Sequence, residues 1–126
     1  MKKMTVRLGL AAAAMFALTT GVFAEQTYPD PLEAGPNIYS KQFENERVRV
    51  SEIKFNPGDK IAMHTHAYDH FVYVIEAGQL TLSYPDGKTS VVNGTVGQVM
   101  WIAKENHAAE NTGTTVFRAL VVELKP

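Results

Sequence analysis

Past residue 36 the chain never keeps helical periodicity for ten residues together; short β-type runs alternate with turn residues instead. The runs are NIYSKQF (37–43), ERVRVSEIKF (46–55), DKIAMH (59–64), HFVYVIE (70–76), QLTLSY (79–84), KTSVV (88–92), QVMWIA (98–103) and TTVFRALVVEL (114–124). Between them stand Asn56-Pro57-Gly58, Ala77-Gly78, Pro85-Asp86-Gly87 and Asn93-Gly94, which are turn and hairpin chemistry. No run contains an internal proline that would demote it to a sheet edge. Eight or nine strands at this spacing predict an all-β sandwich or barrel. A chain of 126 residues holds one such domain and has no room for a second core.

The first 24 residues, MKKMTVRLGLAAAAMFALTTGVFA, follow a different rule. Lys2, Lys3 and Arg7 precede an apolar stretch from Leu8 to Leu18, and Val22 and Ala24 fit a small-residue cleavage site before Glu25. That is the pattern of a secretory signal peptide, and the stretch is too short to span a bilayer. The expectation is export to the periplasm or outside the cell, with no stable membrane insertion after cleavage. Residues 25–36, EQTYPDPLEAGP, hold three prolines and no periodicity, and read as an extended N-terminal arm before a domain over 37–126. Without residues 1–24, nine basic residues face 13 acidic ones, a net charge of -4. Such a domain lacks the basic surface that nucleic-acid binding needs. The absence of cysteine removes disulfides, thiolate metal sites and thiol catalysis.

Chemistry concentrates in the four histidines His64, His66, His70 and His107. On a strand, His64 and His66 point to the same side. His70 has the same parity, although Ala67-Tyr68-Asp69 interrupts the run. If His70 opens the next strand, three imidazoles converge from neighbouring strands. Converging neutral imidazoles make a nitrogen-rich site for a divalent transition metal. A single buried histidine would carry no such reading; His-x-His with a third histidine four residues on, inside a β pattern, does.

The run Gly58-x5-His64-x-His66-x3-His70-x7-Gly78 resembles the first motif of the cupins, which is Gly, five residues, His-x-His, three or four residues, Glu, six residues, Gly. Gly97, His107 and Asn111 are similar to the Gly, His and Asn of the second motif. The resemblance spans residues 37–126 and implies a double-stranded β-helix, a jelly-roll barrel with a metal inside its mouth. It implies His64, His66, His70 and His107 as ligands to Fe, Zn, Ni, Mn or Cu. It further implies a small-molecule ligand or substrate and pairing of two chains into a homodimer. NERVRVSEIKFNPGD and ALVVELK are similar to small single-domain cupins grouped with β-alanine degradation proteins. Three features depart from the motifs. His70 replaces the usual Glu, which leaves four neutral imidazoles and an uncompensated dication. Ala77 stands where the motif's Gly falls, and Ile102-Ala103-Lys104 replaces the Pro-x-Gly before His107.

The remaining residues read more plainly. Asp69 is expected as an exposed loop acid, with a role orienting an imidazole as the sharper alternative. Glu76 reads as a strand-end surface acid and Asn111 as a turn cap. Phe71, Tyr73, Trp101 and Phe117 are expected in the core between the sheets. No acid or base stands out for catalysis, so metal-dependent oxygenase- or isomerase-type chemistry, a non-catalytic ligand- or metal-binding module and a metal-free scaffold with remnant histidines all remain open.

Overall fold

The computed structural model describes residues 27–126; the predicted signal peptide, 1–24, lies outside the described residues. Nine strands follow one short helix. They are α1 (Pro31–Ala34), β1 (Tyr39–Glu44), β2 (Val48–Phe55), β3 (Lys60–His66), β4 (His70–Glu76), β5 (Gly78–Ser83), β6 (Thr89–Gly94), β7 (Val99–Ile102), β8 (Glu105–Asn111) and β9 (Phe117–Leu124). One sheet has the order β1-β2-β9-β4-β7 and the other β3-β8-β5-β6. Every registered pair is antiparallel. The two sheets face each other as a double-stranded β-helix, in one domain.

Period-two alternation builds the core. In β9, Phe117, Ala119 and Val121 point inward, and in β4 Val72 and Val74 do. Ile53 and Phe55 join them from β2, facing Ile61, Leu80, Leu82 and Ala109 of the other sheet. The same alternation corrects the reading of the aromatics. Inward positions of HFVYVIE belong to His70, Val72 and Val74, so Phe71 and Tyr73 take the outward face. Trp101 lies opposite Phe71 on that face and is 61% exposed. Of the four aromatics assigned to the core, only Phe117 is buried there.

Two glycines read as turns are strand residues. Gly78 and Gly94 pair with each other across β5 and β6. Phe117 packs over both, so a Cβ on Gly94 would lie 2.6 Å from Phe117 Cε2. The turn that follows β6 is instead Thr95–Gln98, where Gly97 takes a left-handed φ of 81°. Gly94→Ala is therefore expected to overpack the core and cost about 1–3 kcal/mol. Denaturant unfolding of the variant checks this; an unchanged midpoint would contradict the packing.

The arm is not extended throughout. Asp30 caps α1, its Oδ1 accepting the Leu32 N–H at 2.9 Å, and Pro31 occupies the first turn. A proline there gives up an N–H that has no helical partner anyway, which is why DPLE closes into a turn of helix. Pro31 is buried, and α1 packs on β3 and β1.

Candidate metal centre

The site is aimed by one irregularity in β3. Ile61 pairs with Ala109 and His64 with His107, so β3 carries one residue more than β8 over that span. This bulge shifts the parity of the strand. Ile61 points inward before it, and His64 and His66 point inward after it. Without the bulge Met63 and Thr65 would face the core and both imidazoles would face out. The run HTH is thus turned into the barrel by residues 62–63. His107 comes from β8, directly across from His64. His70 opens β4 on the opposing sheet, and its ring stacks on His66 with centroids 4.2 Å apart. All four histidines are buried.

His64, His66 and His107 offer nitrogens that lie within 4.8 Å of one another, a group that can hold a metal ion. His70 is outside this group of three. Each imidazole is fixed through Nδ1. His64 Nδ1 donates to Ala62 O at 2.9 Å and His70 Nδ1 to Tyr68 O at 3.1 Å. His107 Nδ1 donates to Glu105 Oε1 at 2.7 Å and His66 Nδ1 to Glu123 Oε1 at 3.4 Å. Carbonyl and carboxylate oxygens only accept, so each Nδ1 carries the proton and each Nε2 keeps its lone pair.

The consequence is an electrostatic demand. His64 Nε2 and His66 Nε2 stand 3.2 Å apart. With both Nδ1 atoms protonated, two lone pairs face each other and no hydrogen bond joins them. A cation resolves the contact. Imidazole nitrogens about 2.0–2.1 Å from one ion are separated by about 3.0–3.4 Å at ordinary coordination angles, and the pair already has that spacing. Burial also keeps the rings of His64, His66 and His70 neutral, as ligation requires. It pushes His64 down to about 3 and His70 to about 4, and it lowers His66 as well, against the opposing pull of Glu123.

Two carboxylates stand behind the ligands. Glu123 is an inward-facing residue at the end of β9. Burial alone would raise its carboxyl, but His66 and Arg49 outweigh that and hold it at about 2. Arg49, opposite Glu123 in β2, donates through Nε to Glu123 Oε2 and through Nη2 to Asp30 Oδ2 at 2.7 Å. Glu105 holds His107 in the same way. Two carboxylates therefore stand one hydrogen bond behind the imidazoles, and a dication held by neutral rings would find negative charge there rather than among its ligands. Asp69 is not part of this shell. It is exposed, and its Oδ1 accepts the Lys104 N–H. Glu76 is exposed and faces Arg118, and Asn111 bridges Phe55 O, Thr115 O and Gly113 N as a turn cap.

Sequence reasoning missed Tyr39, Glu105, Glu123 and Arg49. Tyr39 is buried in β1, and its hydroxyl lies 3.4 Å from His66 Nε2. Burial raises its pKa further, so the phenol stays neutral. His107 was assigned, but the strand that carries it was not, because ENHAAEN is polar. Its inward positions are His107, Ala109 and Asn111, so the core face shows only as histidine, alanine and a turn-capping amide. Beside the imidazoles the sheets leave a cavity of about 50 Å³, lined by His66, His70, His107 and Tyr39 with apolar side chains such as Leu82 and Phe117. A separate mouth of about 210 Å³, bounded by Thr27, Thr65, Lys104, Glu105 and Asn106, also reaches His66.

The comparisons agree with this architecture. A family model described as a cupin domain matches residues 51–123. A crystal structure of a cupin domain from Bordetella pertussis Tohama I is 28% identical, covering 81% of this chain and 100% of that one, with a TM-score of 0.66. An uncharacterised double-stranded β-helix protein from Klebsiella pneumoniae is 22% identical over 90% of each chain, with a TM-score of 0.57. An RmlC-like cupin from Methanocaldococcus jannaschii is 17% identical over 70% of this chain and 79% of its own, at TM-score 0.58. No curated protein matches. With a matching model over more than half its length and both sheets in place, the chain belongs to the cupin family.

Proposed function

We propose that this chain is an exported cupin that holds one divalent transition metal on His64, His66 and His107, with His70 as a fourth ligand, and that it binds or transforms a small molecule there. The observation that carries the reading is the pair of Nε2 lone pairs facing each other at 3.2 Å with both Nδ1 protons committed elsewhere. A metal bound to these imidazoles supplies Lewis acidity or redox chemistry. The protein's own contribution is to fix the tautomers, line the space beside the imidazoles with apolar side chains and present a neutral Tyr39 hydroxyl beside His66. The narrower affinity, with the small cupins grouped with β-alanine degradation proteins, rests on the tracts NERVRVSEIKFNPGD and ALVVELK. Pairing of two copies belongs to the same proposal and is supported by the edge strand β7, whose Val99 and Trp101 are 62% and 61% exposed.

A second reading, a binding module without catalysis, is favoured by how the carboxylates are used. Glu105 and Glu123 are tied to imidazoles, and Tyr39 is held neutral, so none of the three is poised as a general base. Protein exported from a host and purified without chelator is expected to begin at Glu25 and to contain about one metal ion per chain. Retention of Met1 on a membrane-bound form would end the export reading. Metal-loaded protein mixed with small molecules and followed by NMR separates the two readings: a module returns its ligand unchanged, and an enzyme releases product.

A further inference from the structure

The arm touches the metal centre from both sheets. On one side it runs along the open edge of β3, the outermost strand of the four-stranded sheet. Tyr28 N donates to Thr65 Oγ1 at 2.8 Å, and Thr65 N donates to Pro29 O at 2.9 Å. Thr65 is the residue between His64 and His66. On the other side, Asp30 Oδ2 accepts from Arg49 Nη2 at 2.7 Å, with 15% of the Arg49 side chain exposed. Arg49 in turn holds Glu123 Oε2, and Glu123 Oε1 accepts the His66 Nδ1 proton. A continuous polar chain therefore runs Asp30–Arg49–Glu123–His66 through a largely buried path. Glu123 is 2% exposed and has Arg49 as its one cationic partner among the described residues.

We infer that the N-terminal arm is a working part of the metal centre: Asp30, acting through Arg49 and Glu123, positions His66, so arm docking and metal binding strengthen each other. The inference rests on the metal reading above and deepens it. A carboxylate that accepts a ligand's second N–H fixes ring orientation and raises ligand basicity. Glu123 can do this only while its other oxygen and its charge are held by Arg49, and Arg49 is held against it by Asp30. The coupling is reciprocal. Whatever the docked arm adds to metal affinity, the bound metal adds to arm docking.

Asp30→Asn is the discriminating variant. Asparagine caps a helix as well as aspartate does, so α1 keeps its Leu32 contact while the anion facing Arg49 is lost. The Asp30 side chain is 40% exposed, so the substitution leaves the core alone. Metal-free protein is titrated with Co(II) against a competing chelator. Glu123→Gln is expected to weaken binding by about 10–100-fold, and Asp30→Asn by roughly 3–10-fold, as a partly exposed charge acting one residue further out. In the Glu123→Gln background, Asp30→Asn should add less than about a twofold loss, because the relay is already cut. Hydrogen exchange gives the reciprocal readout: Co(II) should slow the Thr65 amide in the wild type and slow it less in Asp30→Asn. A merely structural arm would not produce that difference. An Asp30→Asn variant that binds cobalt like the wild type, or one that loses the same factor in both backgrounds, overturns the inference while the metal reading stands. A wild type that takes up no cobalt overturns the metal reading itself, and this inference with it.

Discussion

Chelation at pH 7.5 is expected to lower the melting midpoint of metal-loaded protein by about ten degrees or more. The site exists only in the folded chain, where β3, β8 and β4 bring the imidazoles together, so every metal ion bound is a contribution to folding. At free metal 100-fold above the dissociation constant that contribution is about 2.7 kcal/mol. A domain of this size shifts its midpoint by roughly 4–8 °C for each kcal/mol. Changing His64 and His66 together to Ala should abolish stoichiometric metal uptake and with it the response to chelator. At most two imidazoles then remain, and the 3.2 Å pair of lone pairs is gone. Changing His70 alone should weaken binding less, because it lies outside the group of three. Full metal occupancy in the double variant would place the site elsewhere. Equal midpoints with and without chelator, in protein first shown to contain metal, would mean the ion is not coupled to folding.

The histidines were legible because the signal was local. Three of the four lie within seven residues, and strand parity aligns them once β3 is recognised. The supporting shell was harder because its signal is an exception within a pattern. In β9 the inward positions are Phe117, Ala119, Val121 and then Glu123, a charge on a core face. That misfit is itself the clue, since an acid is almost never fully buried without a partner. In β2 the inward series Phe55, Ile53 and Ser51 ends on Arg49 in the same way, and the register sets Arg49 directly opposite Glu123. Neither misfit shows unless inward and outward positions are assigned strand by strand. The aromatic assignments failed for the same reason in reverse. Tyr73 and Trp101 were placed by residue type, and parity puts them outside. The bulge at 62–63 leaves no glycine or proline to mark it. The arm, by contrast, carried a readable start signal in Asp30-Pro31 with Glu33 in the first turn, but its three prolines outweighed it.

Acid is expected to begin destabilising the metal-free protein below about pH 6.5, before carboxylates titrate. The sign follows from the buried imidazoles. His64 is held at about 3 and His70 at about 4 in the folded state, chiefly by burial, and His66 is lowered too. In the unfolded chain each returns to about 6.5. Between those limits the unfolded state binds more protons, so stability falls as pH falls. Above about 6.5 both states are unprotonated and these groups contribute nothing to the pH dependence. Each unit below costs about 1.4 kcal/mol per histidine, so at pH 5 His64 and His70 together remove about 4 kcal/mol, and His66 acts in the same direction. Native domains have only about 5–15 kcal/mol in all. Glu123, held at about 2, adds its own loss as pH drops from the ordinary value of about 4.5 towards 2. Circular dichroism of chelated protein should therefore show unfolding centred between about pH 4 and 6, and saturating metal should move the transition lower by competing with protons for Nε2. His70→Leu should lower the number of protons taken up on unfolding by about one near pH 5, because one buried imidazole no longer titrates. A metal-free wild type whose stability at pH 5 equals that at pH 7.5 would show that the imidazoles are not held neutral by the fold. The tautomers assigned to the metal centre would fall with that result.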